Sequence, residues 1–367
     1  MSQDNILHVI EPTLTSLAGH CNSFLSSLLD CTTAATPVKL WIGRGANFCS
    51  PGDWVQVESD FTRSLRRFQA FRLYRSLLRQ SGRIFISTAT RTDLALLHFA
   101  SRGIIEPGKV FLYVHWFRTT PRKTRFLQRI AQRQPNLVIL GPTDSAVQPF
   151  RQAHFKDVRT VPYPITPRVV STANQDFRHI FFAGIARQDK GISRIIDLVE
   201  HLARVRGNLP LLVQASADHR QQYDEKTSHD IQLLERSGYA NLQLITTALP
   251  QSEYLALFQG AIALQPYNPQ DFADRISGIS LDALSAGSPL IVSAGTWSAR
   301  IVERFGAGKI LSTWSPKAVM ETIQIILNDW PTYQNRAYLA GQALQKEFSA
   351  GNLLDVLTQP YFFEDAR

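Results

Sequence analysis

Cysteine is scarce in this chain. Cys21, Cys31 and Cys49 form an odd set with no metal-ligand spacing, which argues against both a disulfide framework and a thiolate metal centre. No apolar run approaches the ~20 residues that a bilayer-spanning helix needs. The opening "MSQDNILHVIEP" lacks a basic stretch followed by an apolar one, so no signal peptide is expected and a cytoplasmic location follows. Charge is not low enough in pattern, nor hydrophobicity poor enough, for disorder: 44% of residues are hydrophobic and 19% charged. Short repeats are also missing.

What is present is length and an uneven charge. The 367 residues exceed what one core usually serves, so two domains are expected. Residues 1–165 carry 21 Lys and Arg against 10 Asp and Glu, whereas the remainder carries 18 against 20. A basic first half suggests an anionic partner for that half alone, nucleic acid or an anionic membrane surface. No nucleic-acid-binding module is recognisable, so nucleic acid is not expected.

β-Branched runs alternate with helical patterns along the whole chain. "NILHVIEP", "VKLWIG", "RIFIST", "KVFLYVH" and "NLVILGPT" read as strands of the first half. "HIFFAGIA", "LPLLVQAS", "NLQLITT", "AIALQPY", "PLIVSA" and "GKILS" read as strands of the second. Such βα alternation predicts parallel sheets. The Pro-rich "VPYPITPRVVSTANQ" between the two series predicts a domain junction. The expected architecture is α/β, with doubly wound Rossmann-like halves over 1–165 and 171–345 facing a central cleft. The segment 346–367 is expected to pack back on the first half.

Ligands of open α/β sheets sit at the carboxyl ends of strands. Three stretches of the second half fall there. In "FFAGIARQDKGIS" a strand ends at Ala183-Gly184, and Arg187 and Lys190 lie in the turn before a helix. Two cations beside a helix N-terminus suit a diphosphate, although solvated loop cations would read the same way. In "FADRISGISLDALSAGSPLIVSAG" the residues Ser277, Gly278 and Ile279 open a helix, with Asp274 before it and Asp282 inside it. Asp282 fits either plain helix-end electrostatics or a sugar diol, and Asp274 either an ordinary surface acid or a ligand contact. The third stretch, "LQPYNPQ", leads into that loop.

In this order these pieces resemble the donor half of the retaining glycosyltransferases of family four, which have the GT-B fold. The pieces are "GIARQDKG", "EYLALFQGAIALQPYNPQ", an acid-x7-acid pattern with "LDALSAGSPLIVSAG", and "VERFGAGKI". The likeness spans about 180–310. It extends weakly to the first half, where "PTLTSLAGH" is similar to the family's N-terminal loop and "VPYP" to its interdomain segment.

The resemblance implies roles residue by residue. Asp282 matches the acid that holds the nucleotide ribose, and Asp274 the acid near the donor sugar. Arg187 and Lys190 match the diphosphate pair, with Arg275 sharing the load. Gly184 and the helix start at Ser277, Gly278 and Ile279 line the donor site. Gly19 and His20 approach the diphosphate from the first half, and His115, ending "VFLYVH", lines the reaction cleft. Thr90 and Thr143, also at strand ends, are expected to be helix caps instead. Both family acids are usually Glu; here both are Asp, one methylene shorter, which leaves an inactive homologue binding a nucleotide sugar or a protein partner as the alternative.

The activity implied is transfer of a hexosyl group from a nucleotide sugar to a glycan or lipid-linked acceptor, with retained configuration, in polysaccharide or glycolipid synthesis. The nucleotide sugar is a co-substrate, so no cofactor is expected. No D-x-D stretch occurs, so no metal is expected either. A nicotinamide-dependent oxidoreductase fits poorly, because Gly43 and Gly45 lack a third glycine at the right spacing.

The basic stretches are "DFTRSLRRFQAFRLYRSLLRQSGR" over 60–83 and "RTTPRKTRFLQR" over 118–129. The first is expected to be helical, and its apolar stripe changes side near Ala70. That predicts a break there, or two ends with different surroundings. Both stretches suit either a solvated basic face or peripheral attachment to the inner face of an anionic membrane.

Overall fold

The computed structural model describes residues 6–15, 20–46, 48–166, 175–217, 222–247 and 249–360. They divide into two compact units: residues up to Thr166 together with those from Glu347, and residues from Gln175 to Lys346.

The first unit is built on seven strands: β1 (Leu7–Glu11), β2 (Val38–Gly43), β3 (Val55–Phe61), β4 (Arg83–Ile86), β5 (Val110–Tyr113), β6 (Val138–Gly141) and β7 (Asp157–Thr160). Their order is β3-β2-β1-β4-β5-β6-β7, and every pair is parallel. Parallel strands buried on both faces read as continuous apolar runs, and β5 (VFLY) and β6 (VILG) are buried at every residue.

Successive side chains point to opposite faces. Ile84, Ile86, Leu112 and Ile139 meet the helices Arg66–Leu77, Arg91–Ala100 and Pro121–Arg133, through Tyr74, Leu77, Leu97 and Leu127 among others. Phe85, Phe111 and Val138 meet the helix His20–Asp30, through Phe24, Leu25, Leu28 and Leu29. The helix Ala350–Thr358 joins that second face with Leu353 and Leu357, and Arg83 Nη1 donates to the Leu357 carbonyl at 2.6 Å.

The second unit repeats the architecture with six strands: β8 (His179–Phe182), β9 (Leu211–Gln214), β10 (Leu242–Ile245), β11 (Ala261–Gln265), β12 (Leu290–Ser293) and β13 (Gly308–Leu311). The order is β10-β9-β8-β11-β12-β13, again all parallel. In the helix Ile192–Arg204, residues Ile192, Ile195, Ile196, Val199 and Leu202 are buried at the spacing of one helical face. They pack on Ile180, Phe182, Ile262, Leu264 and Ile291.

One sequence expectation changes, and of two alternatives for the arginine-rich helix the structure takes the second, ends with different surroundings. Asp60 and Phe61 end β3 instead of opening the arginine-rich helix, which spans Arg66–Leu77 without a break. Ala70 is buried, while Leu65 and Phe68 are 57% and 59% exposed, so the helix passes from a solvent-facing start to a core-facing end. Two helices end the described chain, Trp330–Glu347 and Ala350–Thr358, the second capped by the Ser349 side chain. Thr90 and Thr143 cap the helices Arg91–Ala100 and Asp144–Gln152, as their sequence suggests.

Candidate active site

In each sheet the chain order reverses once, between β1 and β4 and between β8 and β11. Loops leaving the two strands at such a point diverge and open a crevice at the carboxyl edge. The second unit places most of the sequence-derived candidates there.

Leaving β8, the chain turns at Gly184 (φ +106°). A Cβ on Gly184 would stand 2.8 Å from Ile279 Cδ1 and 3.2 Å from Lys190 Nζ, so the absent side chain is what lets these two residues approach. The Gly184 amide donates to Gln214 Oε1 at 3.0 Å. A single 3-10 turn, Gln188–Lys190, then leads to Gly191 at φ +79°. There a Cβ would fall 2.2 Å from the Pro266 carbonyl oxygen. Glycine is therefore required twice over, by conformation and by space.

The charges of this turn are organised by Asp189, which the sequence reading did not single out. Asp189 holds Arg187 in a two-pronged pair, with Nε donating to Oδ1 at 2.8 Å and Nη2 to Oδ2. Arg275 Nη1 lies 3.9 Å from the same Oδ2. The Asn268 amide donates to the Asp189 carbonyl at 2.8 Å, which ties the turn to the loop after β11. Burial, then the charge of Arg187, lowers the Lys190 ammonium to about 8, with Asp189 pulling upward and Arg275 downward.

Tyr267 follows β11 and is buried, with its ring 4.4 Å from that of Phe272. The Arg275 guanidinium lies over Phe272 at 5.0 Å. Burial raises the Tyr267 phenol to about 12, against a hydrogen bond with Ser277 and the charges of Arg275 and Arg187. Ser277 caps the helix Gly278–Ser285, its Oγ accepting from the Ser280 amide at 3.2 Å. A Cβ on Gly278 would meet nothing within 4 Å, so open space lies before the first turn.

Gly184, Arg187, Lys190, Arg275, Ser277 and Ile279 are thus assembled at one edge, around Asp189 and Tyr267. Asp282 is partly buried on the second turn of the same helix. Asp274 is exposed in the preceding loop, where its Oδ1 accepts from Arg300 Nη2 at 2.9 Å. The Arg300 contact was not legible, because it joins residues 26 positions apart.

The equivalent edge of the first unit holds His115. Its Nε2 lies 2.9 Å from the Ser87 carbonyl and 3.4 Å from Thr88 Oγ1, among the rings of Phe24, Tyr113 and Tyr163. Ser87 in turn donates from Oγ to the buried carboxylate of Glu11 at 2.7 Å. Gly19 lies outside the described residues, and of His20 only the backbone, at the start of its helix, is described.

No protein-family model matches the chain, and no curated protein sequence matches it. Solved structures do. HepE of Anabaena with UDP bound is 13% identical, with a TM-score of 0.64 over 96% of this chain and 97% of that one. WaaG, a glycosyltransferase involved in lipopolysaccharide biosynthesis, is 12% identical, with a TM-score of 0.61 over 96% and 100%. Sucrose-phosphate synthase of Thermosynechococcus elongatus is 12% identical, with a TM-score of 0.65 over 96% and 96%. At such identity the likeness is one of fold, and with two doubly wound parallel sheets matched over nearly the whole length of both chains, the protein has the GT-B fold.

Proposed function

We propose that the chain is a glycosyltransferase of the hexosyltransferase type, moving a sugar from a nucleotide-sugar donor to a glycan or lipid-linked acceptor with retention of configuration. The observation that carries this reading is the assembly of Arg187, Lys190 and Arg275 around a glycine-bounded turn at the switch point of the second sheet. Three cations beside an open helix start suit a nucleoside diphosphate better than any neutral ligand. That HepE was crystallised with UDP and with UDP-glucose supports a nucleotide sugar.

The chemistry follows from charge. The bond from the anomeric carbon to the diphosphate oxygen breaks, the bond to the acceptor oxygen forms on the same face, and the acceptor proton passes to the departing phosphate. Negative charge grows on the leaving group as its bond breaks. Arg187 is held by Asp189 before that moment, with Lys190 and Arg275 beside it, and charge set in advance costs no reorganisation when it comes. In this reading no protein nucleophile, general base or metal is needed, and the enzyme contributes position and leaving-group stabilisation. Asp282 takes the ribose hydroxyls and Asp274 the sugar, with His115 serving the reaction from the first unit. Incubating the protein with a panel of nucleotide sugars and reading the anomeric coupling of any product by NMR tests the activity and the retention together. Inverted product, or no donor turned over or hydrolysed, would count against it.

The acceptor side of the reading is a cytoplasmic protein held peripherally at the inner face of an anionic membrane. Among the described residues no helix is long and apolar enough to cross a bilayer. The helices Arg66–Leu77 and Pro121–Arg133 carry eight of the 17 arginines in residues 1–166, with Leu65, Phe68 and Trp116 exposed beside them (Trp116 at 71%). Near an anionic surface each Lys or Arg contributes about 1 kcal/mol. Flotation with anionic vesicles is expected at low salt and lost when Arg63, Arg66 and Arg67 become Glu. Wild-type protein that stays behind at low salt points to a soluble acceptor.

A further inference from the structure

We infer that Asp230, which touches none of the proposed donor-binding residues directly, is the positioning residue that fixes the cationic turn of the second unit. The inference rests on the reading of that turn as a diphosphate site. Asp230 lies in the helix Glu225–Glu235 and is only 5% exposed. Its Oδ2 accepts from Gln188 Nε2 at 2.7 Å and lies 2.9 Å from Ser193 Oγ. Ser193 Oγ is also 2.9 Å from Gln188 Oε1, and Gln188 Nε2 reaches Thr227 Oγ1 at 3.2 Å. Thr227 is itself held by Asp224, the cap of the same helix, whose carboxylate accepts from its hydroxyl at 2.7 Å.

The Gln188 amide nitrogen is therefore held by Asp230 and Thr227, with Ser193 Oγ beside its oxygen, and the first residue of the turn is bolted to a neighbouring helix. Gln188 is the residue between Arg187 and Asp189, so its placement sets where that ion pair stands. Two residues on, Lys190 sits at the end of the same turn. The turn is tied on other sides by the Asn268 amide on the Asp189 carbonyl, from the loop after β11, and by the Ala186 amide on the Ser216 carbonyl at 2.9 Å. The partners of Asp230 Oδ2 among the described residues are both uncharged, and a buried carboxylate held only by neutral groups is costly unless its hydrogen bonds do something. Here they hold Gln188 and Ser193, on the turn and on the helix that follows it, against the helix Glu225–Glu235.

The mechanism makes a distinction between geometry and charge. If Asp230 acts through its hydrogen bond, asparagine replaces it, because an amide oxygen accepts from Gln188 Nε2 as a carboxylate oxygen does. If it acts through its charge, asparagine fails. The test is calorimetric titration of the full chain with a nucleoside diphosphate from pH 7 to pH 10, for wild type, Asp230→Ala, Asp230→Asn and Gln188→Ala. Asp230→Ala and Gln188→Ala are expected to bind about tenfold more weakly, the scale of one lost buried hydrogen-bond anchor. Their pH midpoint should move upward, because a loosened turn lets water back to Lys190, which in the wild type faces Arg187, Asp189 and Arg275. Asp230→Asn should keep wild-type affinity and midpoint.

A merely structural role would lower the melting temperature without moving that midpoint. Gln188→Ala carries the test if Asp230→Ala does not fold, since Gln188 lies in a surface turn. Wild-type affinity and midpoint in Gln188→Ala, or an Asp230→Asn as impaired as Asp230→Ala, overturns the inference while leaving the diphosphate site standing. A wild type that binds no nucleoside diphosphate removes the site and the inference with it.

Discussion

Raising the pH from 7 to 9 should weaken nucleoside diphosphate binding about tenfold. The perturbation acts on Lys190, whose ammonium is lowered to about 8, first by burial and then by the charge of Arg187. A diphosphate beside it favours the charged form, so binding requires the proton and raises the midpoint in the complex. With a free-state midpoint near 8, roughly nine-tenths of Lys190 is charged at pH 7 and roughly one-tenth at pH 9, a tenfold loss worth about 1.4 kcal/mol. The other participants do not change over this range: arginine stays charged, and a terminal phosphate with its second ionisation near ~6 is already fully charged above pH 7. Calorimetry in two buffers of different ionisation enthalpy should also show uptake of about half a proton at pH 8. The stability effect has the opposite sign. Lys190 in the fold binds its proton less tightly than in the unfolded chain, so ligand-free stability from this group rises as pH climbs from about 8 towards 10.5. Affinity that is flat from pH 7 to pH 9, with no proton uptake, would refute this account of Lys190.

Other outcomes follow from the same edge. Gly191→Ala should destabilise the second unit by more than the ~1 kcal/mol of a positive-φ penalty alone, because the added Cβ meets the Pro266 carbonyl at 2.2 Å; chemical denaturation measures it. Asp282→Ala should weaken both free nucleotide and nucleotide sugar, whereas Asp274→Ala should weaken only the nucleotide sugar; equal losses for the sugar-free nucleotide contradict the assignment.

Much of the fold is legible because parallel strands buried on both faces leave continuous apolar runs. "VFLY", "VILG" and "HIFF" announce themselves in this way. The strands β3 and β7 do not. "VQVESDF" and "DVRT" are sheet-edge strands with exposed Glu, Ser, Asp, Arg and Thr, so the burial that would give them a pattern is missing. The arginine-rich helix misleads for a related reason: Leu65 and Phe68 look like core residues and face solvent. At the candidate site, Gly184, Gly191, Arg187 and Lys190 can be read because residue type and strand-end position suffice. The pairing of Asp189 with Arg275, the burial of Tyr267, the Asp230 anchor and the Arg300 partner of Asp274 depend on contacts across tens of residues, which no local pattern encodes.

The most direct measurement of the central claim is calorimetric binding of a panel of nucleoside diphosphates to wild type, Lys190→Ala and Arg187→Ala. The account predicts that at least one diphosphate binds the wild type, and that each variant remains folded and loses about 1.5–3 kcal/mol, the scale of a charge-assisted contact. No binding by the wild type, or wild-type affinity in both variants, would contradict it.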